Sequence, residues 1–116
     1  MSVPIRLIFR RAEKLLRLDY EGEQCLEIPF ELLRVESPSA EVQGHGGDKP
    51  PPVTGKAEVG VTSAEHVGQY AIRIVFDDGH ESGYFTWEFL SDLGRNRDAI
   101  FAGYKARVAE FTGLQA

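Results

Sequence analysis

Residues 70–85 constrain the fold of this chain most. Tyr70 to Phe76 is a run of β-branched and aromatic residues broken only by Ala71 and Arg73, and His80 to Phe85 returns after Asp77-Asp78-Gly79. Such residues fit a pleated, half-buried surface. Asp-Gly tolerates the positive φ that a two-residue hairpin turn requires. With Asp78-Gly79 as that turn, Asp77 lies opposite His80 and Val75 opposite Ser82. Residues two apart share a face. Ile72, Ile74, Phe76 and Phe85 then line the core side. Arg73, Asp77, His80, Ser82 and Tyr84 form a polar row on the other side, which reads first as a face turned to water or as Asp77 paired with His80 at the hairpin end, and alternatively as a binding face.

The same period of two recurs upstream. Ile5, Leu7 and Phe9 alternate with Arg6 and Arg10, and Leu16, Leu18 and Tyr20 with Arg17 and Asp19. Glu21-Gly22 turns the chain into residues 24–28, giving a second hairpin. Pro29 opens a short helix with Phe30 and Leu33 inward, and that helix ends before Ser37-Pro38. Seven glycines and prolines crowd residues 43–55, which predicts an exposed loop. Ala57, Val59 and Val61 alternate with charged and polar neighbours, predicting a strand that turns at residues 65–69. Thr86 caps a helix ended by Gly94, and a last helix over about residues 96–111 carries Ile100, Phe101, Tyr104, Val108 and Phe111 as its stripe. The predicted class is α+β: mostly antiparallel sheet of about six short strands, one short central helix and two C-terminal helices over one sheet face.

At 116 residues the chain is one domain, with a core over about residues 5–94 and enough length to fold without staples. Eighteen acidic against thirteen basic residues leave a net charge of −5. That balance argues against nucleic acid, which needs a dense basic patch. The basic residues come close together only at Arg6, Arg10, Arg11, Lys14 and Arg17, which reads as a solvated face. Cys25 is the single cysteine, so neither an intrachain disulfide nor a thiolate metal site is available. No apolar run reaches the ~20 residues of a membrane span, and the N-terminus lacks a signal-peptide core. The expected compartment is the cytoplasm.

Chemistry-bearing residues are few. His80 as a general base needs a nucleophile within hydrogen-bond reach, and cross-strand Ser82 and Asp77 do not by themselves make a relay or an oxyanion hole. His45 lies between glycines, and Glu41, His45 and His80 are the set that would converge if a metal or small ligand were bound. Gly44-His45-Gly46-Gly47 lacks the Lys-Ser/Thr pair and the helix behind it that a phosphate cradle needs. His66 reads as a surface histidine. Trp87, Phe89, Phe101, Tyr104 and Phe111 fall at helical spacing and read as core.

Two stretches carry a resemblance. One runs from Leu33-Arg34 through Ser37-Pro38-Ser39-Ala40-Glu41-Val42-Gln43-Gly44-His45-Gly46, and the other from Asp78-Gly79-His80 to Trp87. Together they resemble the N-terminal domain of gamma-butyrobetaine hydroxylase, and more closely its stand-alone bacterial relatives of unknown function, over about residues 5–94. In the hydroxylase that domain holds a structural zinc through three cysteines and a histidine. The resemblance places those ligands at Ser37, Ser39, Val42 and His80, so the histidine is kept and every thiolate is replaced. No structural zinc and no other cofactor is expected. The oxygenase half of such enzymes needs His-x-Asp/Glu for iron, and no histidine here is followed by one at that spacing. Related domains are also fused to P-loop ATPases that carry iron–sulfur clusters.

The sequence thus predicts a non-catalytic, protein-interaction domain associated with iron–sulfur protein assembly. Its expected partner is an iron–sulfur carrier ATPase or a client protein, met through Ser37, Ser39, Glu41, His45, Arg73, Asp77, His80 and Ser82. The competing readings are a small-ligand or metal-binding domain using Glu41, His45 and His80, and an enzyme with an unrecognised site.

Overall fold

The computed structural model describes residues 3–38 and 54–115, with side chains as far as residue 110. Most of the loop expected over residues 43–55 lies outside them, as do Ser39, Glu41, Val42 and His45.

Strands β1 (Arg6–Arg10), β2 (Leu15–Asp19) and β3 (Cys25–Pro29) form an antiparallel meander in the order β1-β2-β3. Leu7 pairs with Leu18 and Phe9 with Leu16, while Leu16 and Leu18 meet Ile28 and Leu26 on the other side. This register collects the apolar set on one face. Three of the basic residues that come close together here meet carboxylates. Arg6 and Arg17 both bind Asp19, at 2.9 and 2.6 Å, and Arg10 meets Glu13 at 3.3 Å.

Pro29, at φ −60°, ends β3 and leads into helix α1 (Phe30–Val35). Glu31 in its first turn and Arg34 in its last suit the helix dipole. Phe30, Leu32, Leu33 and Val35 are buried. Six residues cannot sustain a helix alone, so this burial is what holds it.

Strands β4 (Val61–Val67), β5 (Ala71–Phe76) and β6 (Phe85–Thr86) make a second antiparallel sheet, ordered β4-β5-β6. The predicted strand count is met, with the strands divided between two three-stranded antiparallel sheets. β4 also starts later and runs longer than predicted. The chain turns at residues 57–58, where the Val59 N–H bonds Lys56 O at 3.1 Å. Val59 and Val61 are buried individually, so their spacing imitates a strand. β4 itself is an exposed edge, and an edge needs no apolar alternation.

Thr86 caps helix α2 (Trp87–Arg95), its hydroxyl oxygen accepting the Phe89 N–H at 3.1 Å. Gly94 lies inside α2 instead of ending it. A Cβ there would sit 3.0 Å from Leu26 Cβ, so the glycine marks close approach of α2 to β3. Helix α3 (Arg97–Gln115) buries Tyr104 and half-buries Ile100, Phe101 and Val108. The side chain of Phe111 lies outside the described residues. One hydrophobic core takes side chains from both sheets and all three helices.

Candidate functional site

The hairpin at residues 76–80 sets the geometry of the site. Phe76 N–H bonds His80 O at 2.9 Å and Gly79 N–H bonds Phe76 O at 3.0 Å. The loop therefore holds three residues, Asp77, Asp78 and Gly79, with Gly79 at φ +90°. A three-residue loop of this kind ends in a left-handed glycine. Val75 pairs with Glu81, and Ser82 N–H bonds Ile74 O at 2.9 Å. The expected pairs Asp77–His80 and Val75–Ser82 are thus displaced by one residue. A slip of one carries every side chain to the opposite face. His80 and Ser82 lie inside, 6% and 0% exposed, beside Ile74 and Phe76. Arg73 keeps its outward place, between Glu65 and Glu81. Asp77 is exposed, its N–H bonded to Gly60 O at 2.8 Å.

Asp78 holds the turn. Its carboxylate accepts from the His80 N–H at 3.0 Å, from Arg34 Nε at 2.9 Å and from Lys56 Nζ at 2.6 Å. Partial burial opposes its charge, but the hydrogen bonds from Lys56, the His80 N–H and Arg34 outweigh it. They hold the carboxyl far below the usual carboxylate range. One residue thereby joins α1, the segment before β4 and the hairpin. Arg34 is 44 positions away, so nothing local in the sequence announced the contact.

Inside, Ser37 follows α1 and is 1% exposed. Its hydroxyl donates to Ser82 O at 2.8 Å, and it lies 3.0 Å from His80 Nε2. A carbonyl can only accept, so the serine proton is committed to it. His80 Nε2 therefore carries hydrogen and donates to Ser37 Oγ. With its carbonyl turned to Ser37, Ser82 uses its hydroxyl in the ladder. Ser82 Oγ accepts Ile74 N–H at 2.9 Å and donates to Gly83 O at 2.8 Å. Two sequence-predicted residues, Ser37 and His80, thus meet directly, with Ser82 beside them and Arg73 and Asp77 elsewhere.

The proton order is the reverse of an activated nucleophile. A serine nucleophile sends its proton toward the histidine lone pair; here the histidine donates and the serine points at a carbonyl. The cluster serves as an internal strap between the end of α1 and the hairpin. The zinc that the resemblance implies does not fit these residues either. The nitrogen facing Ser37 presents a proton where a metal needs a lone pair, position 37 offers a committed hydroxyl, and Val42 has no ligand atom. Among the described residues no group of three His, Cys, Asp or Glu side chains is placed to hold a metal ion.

Elsewhere, a groove of about 490 Å³ runs between α2 and α3, lined by Phe89, Leu93, Ile100 and Gly103, with Glu36 and Arg107 3.5 Å apart on its rim. His66 is exposed, its ring 6.2 Å from that of Trp87. No described helix is long and apolar enough to cross a membrane.

Two three-stranded sheets and three helices on one core, strapped inside by a serine–histidine pair, define a small α+β domain. Residues 7–91 match the family described as gamma-butyrobetaine hydroxylase-like, N-terminal, and the chain belongs to that family. Two proteins with NMR solution structures are similar over most of its length. One is 46% identical, covering 94% of this chain and 86% of its own, with a TM-score of 0.79. The other is 37% identical, covering 95% and 82%, also at 0.79. A crystal structure from Acidithiobacillus ferrooxidans, of a protein of unknown function in the DUF971 family, is 34% identical. It covers 78% of this chain and 91% of its own, at 0.64. No curated protein matches the chain.

Proposed function

We propose that this chain is a non-catalytic domain that works in the cytoplasm by binding another protein, in the setting of iron–sulfur protein assembly. The observation that carries this reading is the division between the two sides of the second sheet. On the inner side, among the described residues, Ser37 bonds the His80 ring and the Ser82 carbonyl, and the Ser82 hydroxyl bonds the backbone. On the outer side Arg73 remains accessible, and Tyr84, next to the fully buried Phe85, is 56% exposed. Tyrosine and arginine are the residue types that most often anchor protein interfaces. The fusion of related domains to cluster-carrying ATPases supports an iron–sulfur carrier ATPase or its client as the partner. The exposed single thiol of Cys25 suits a reducing compartment but is far short of the four ligands a cluster takes.

The test is calorimetric titration of the whole chain with a purified iron–sulfur carrier ATPase. Binding is expected, weakened at least tenfold by Tyr84→Ala and by Arg73→Ala with the unfolding midpoint little changed. Absence of binding, or equal binding by both variants, rejects the reading.

A further inference from the structure

The turn joining β1 to β2 carries two cations that behave unlike their neighbours. Arg6, Arg10 and Arg17 all meet carboxylates. Among the described residues Arg11 and Lys14 meet none. Each is tethered to a main-chain carbonyl instead, Arg11 Nη1 to Val61 O at 2.8 Å and Lys14 Nζ to Glu58 O at 3.0 Å. With Phe30, Gly60, Thr62 and Asp77 they line a cleft of about 340 Å³. A tethered cation is already oriented, so a ligand meeting it has less side-chain freedom to remove. The donors left over on the guanidinium and the ammonium remain for that ligand.

A second, independent feature marks the same place. Lys14 has φ +57°, the left-handed region where glycine or asparagine sits without strain and lysine does not. Strained backbone persists where the surrounding structure enforces it, and it clusters at binding sites. The one acid in the cleft, Asp77, lies back against Gly60, where a Cβ would come within 2.8 Å of its Oδ2. Two positive charges and one negative leave a cleft of net charge +1 in a chain of net charge −5. That sum suits a single carboxylate, and the chain's overall charge disfavours a polyanion.

We propose that this cleft receives an acidic side chain of a protein partner, its carboxylate lodged between Arg11 and Lys14 and a neighbouring N–H of the same segment donating to Asp77. The inference rests on the protein-binding reading above and names the partner's chemistry at a surface separate from Tyr84.

The experiment is an NMR titration of the ¹⁵N-labelled chain with the capped tripeptide Gly-Glu-Gly, with Gly-Gln-Gly and inorganic phosphate in parallel. Saturable shifts at the Phe30, Gly60 and Thr62 amides are expected with the glutamate peptide alone. Arg11→Gln should weaken them at least tenfold. Lys14→Gly should abolish them while raising the unfolding midpoint by about 3 °C, because the strain is relieved. Equal shifts with the glutamine peptide, a stronger response to phosphate, or a lowered midpoint in Lys14→Gly each overturns the proposal. If the carrier ATPase binds Arg11→Gln as tightly as the native chain, the cleft is refuted and the protein-binding reading stands. If the tripeptide binds and no ATPase does, the iron–sulfur partner is refuted and the cleft stands.

Discussion

Asp78 shows how much one residue contributes when its partners come from three directions. Arg34 and Lys56 hold its carboxylate, and the side chain is only 20% exposed. Its folded pKa lies below the ordinary carboxylate value of about 3.9. The sign follows from that: a depressed carboxylate contributes fully above its unfolded pKa and loses the contribution as pH falls toward the folded one. Asp78→Asn keeps an acceptor for the His80 N–H but puts an NH2 donor where Arg34 Nε and Lys56 Nζ share an oxygen, so it removes the charge and their acceptor together. Urea unfolding at pH 7 should show a loss of roughly 1.5 kcal/mol, shrinking as pH drops below about 4 and clearly smaller at pH 2. An undiminished loss at pH 2 would mean that shape, not charge, holds the turn. Asp78-Gly79 was legible as a turn, yet two- and three-residue loops share that dipeptide. What decides between them is Asp78 reaching Arg34 and the His80 N–H, which residue spacing does not reveal.

Among the elements, those with their own chemistry were read correctly and those shaped by neighbours were not. β1, β2 and β3 announce themselves by alternation because each has one buried face. Thr86 announces α2 because its hydroxyl serves a main-chain N–H of its own helix. β4 was misplaced because an exposed edge carries no pattern. The candidate site was half legible: Ser37 and His80 came together as the resemblance implied, but the hairpin register took His80 and Ser82 out of the expected polar row and left Arg73, Asp77 and Tyr84 outside. Gly94 is the remaining case. Glycine usually follows a helix, whereas here α2 needs it to approach β3. Gly94→Ala gains about 1 kcal/mol of helix propensity. Its Cβ, however, would lie 3.0 Å from Leu26 Cβ and Cδ1, and overpacking costs roughly 1–3 kcal/mol. The substitution should therefore lower the unfolding midpoint, and by less in a Leu26→Ala background. A higher midpoint in the native background would show that the helix can shift away freely.

Across the whole molecule, the sheets and helices are tied together by contacts far apart in sequence. Ser37 reaches His80 over 43 positions, Arg11 reaches Val61 over 50, and Arg97 Nη1 reaches Glu27 O over 70. The inner strap is the only one of these that is fully buried, so its loss leaves partners with no water to turn to. Without Ser37 Oγ, the His80 Nε2–H and the Ser82 carbonyl both lose the hydrogen bond that Ser37 supplies. Each buried bond lost costs ~1–3 kcal/mol, so Ser37→Ala should cost about 3 kcal/mol, a large part of the stability of a domain this size. A metal-held junction would behave differently. Chelator would remove its stability, since metal-binding energy is then folding energy, and a serine near it would be dispensable. Urea unfolding of the native chain with and without EDTA should give one midpoint, and Ser37→Ala should move it strongly in both. A midpoint that falls in EDTA, or a Ser37→Ala chain as stable as the native one, would mean that something other than this hydrogen-bonded pair closes the two halves.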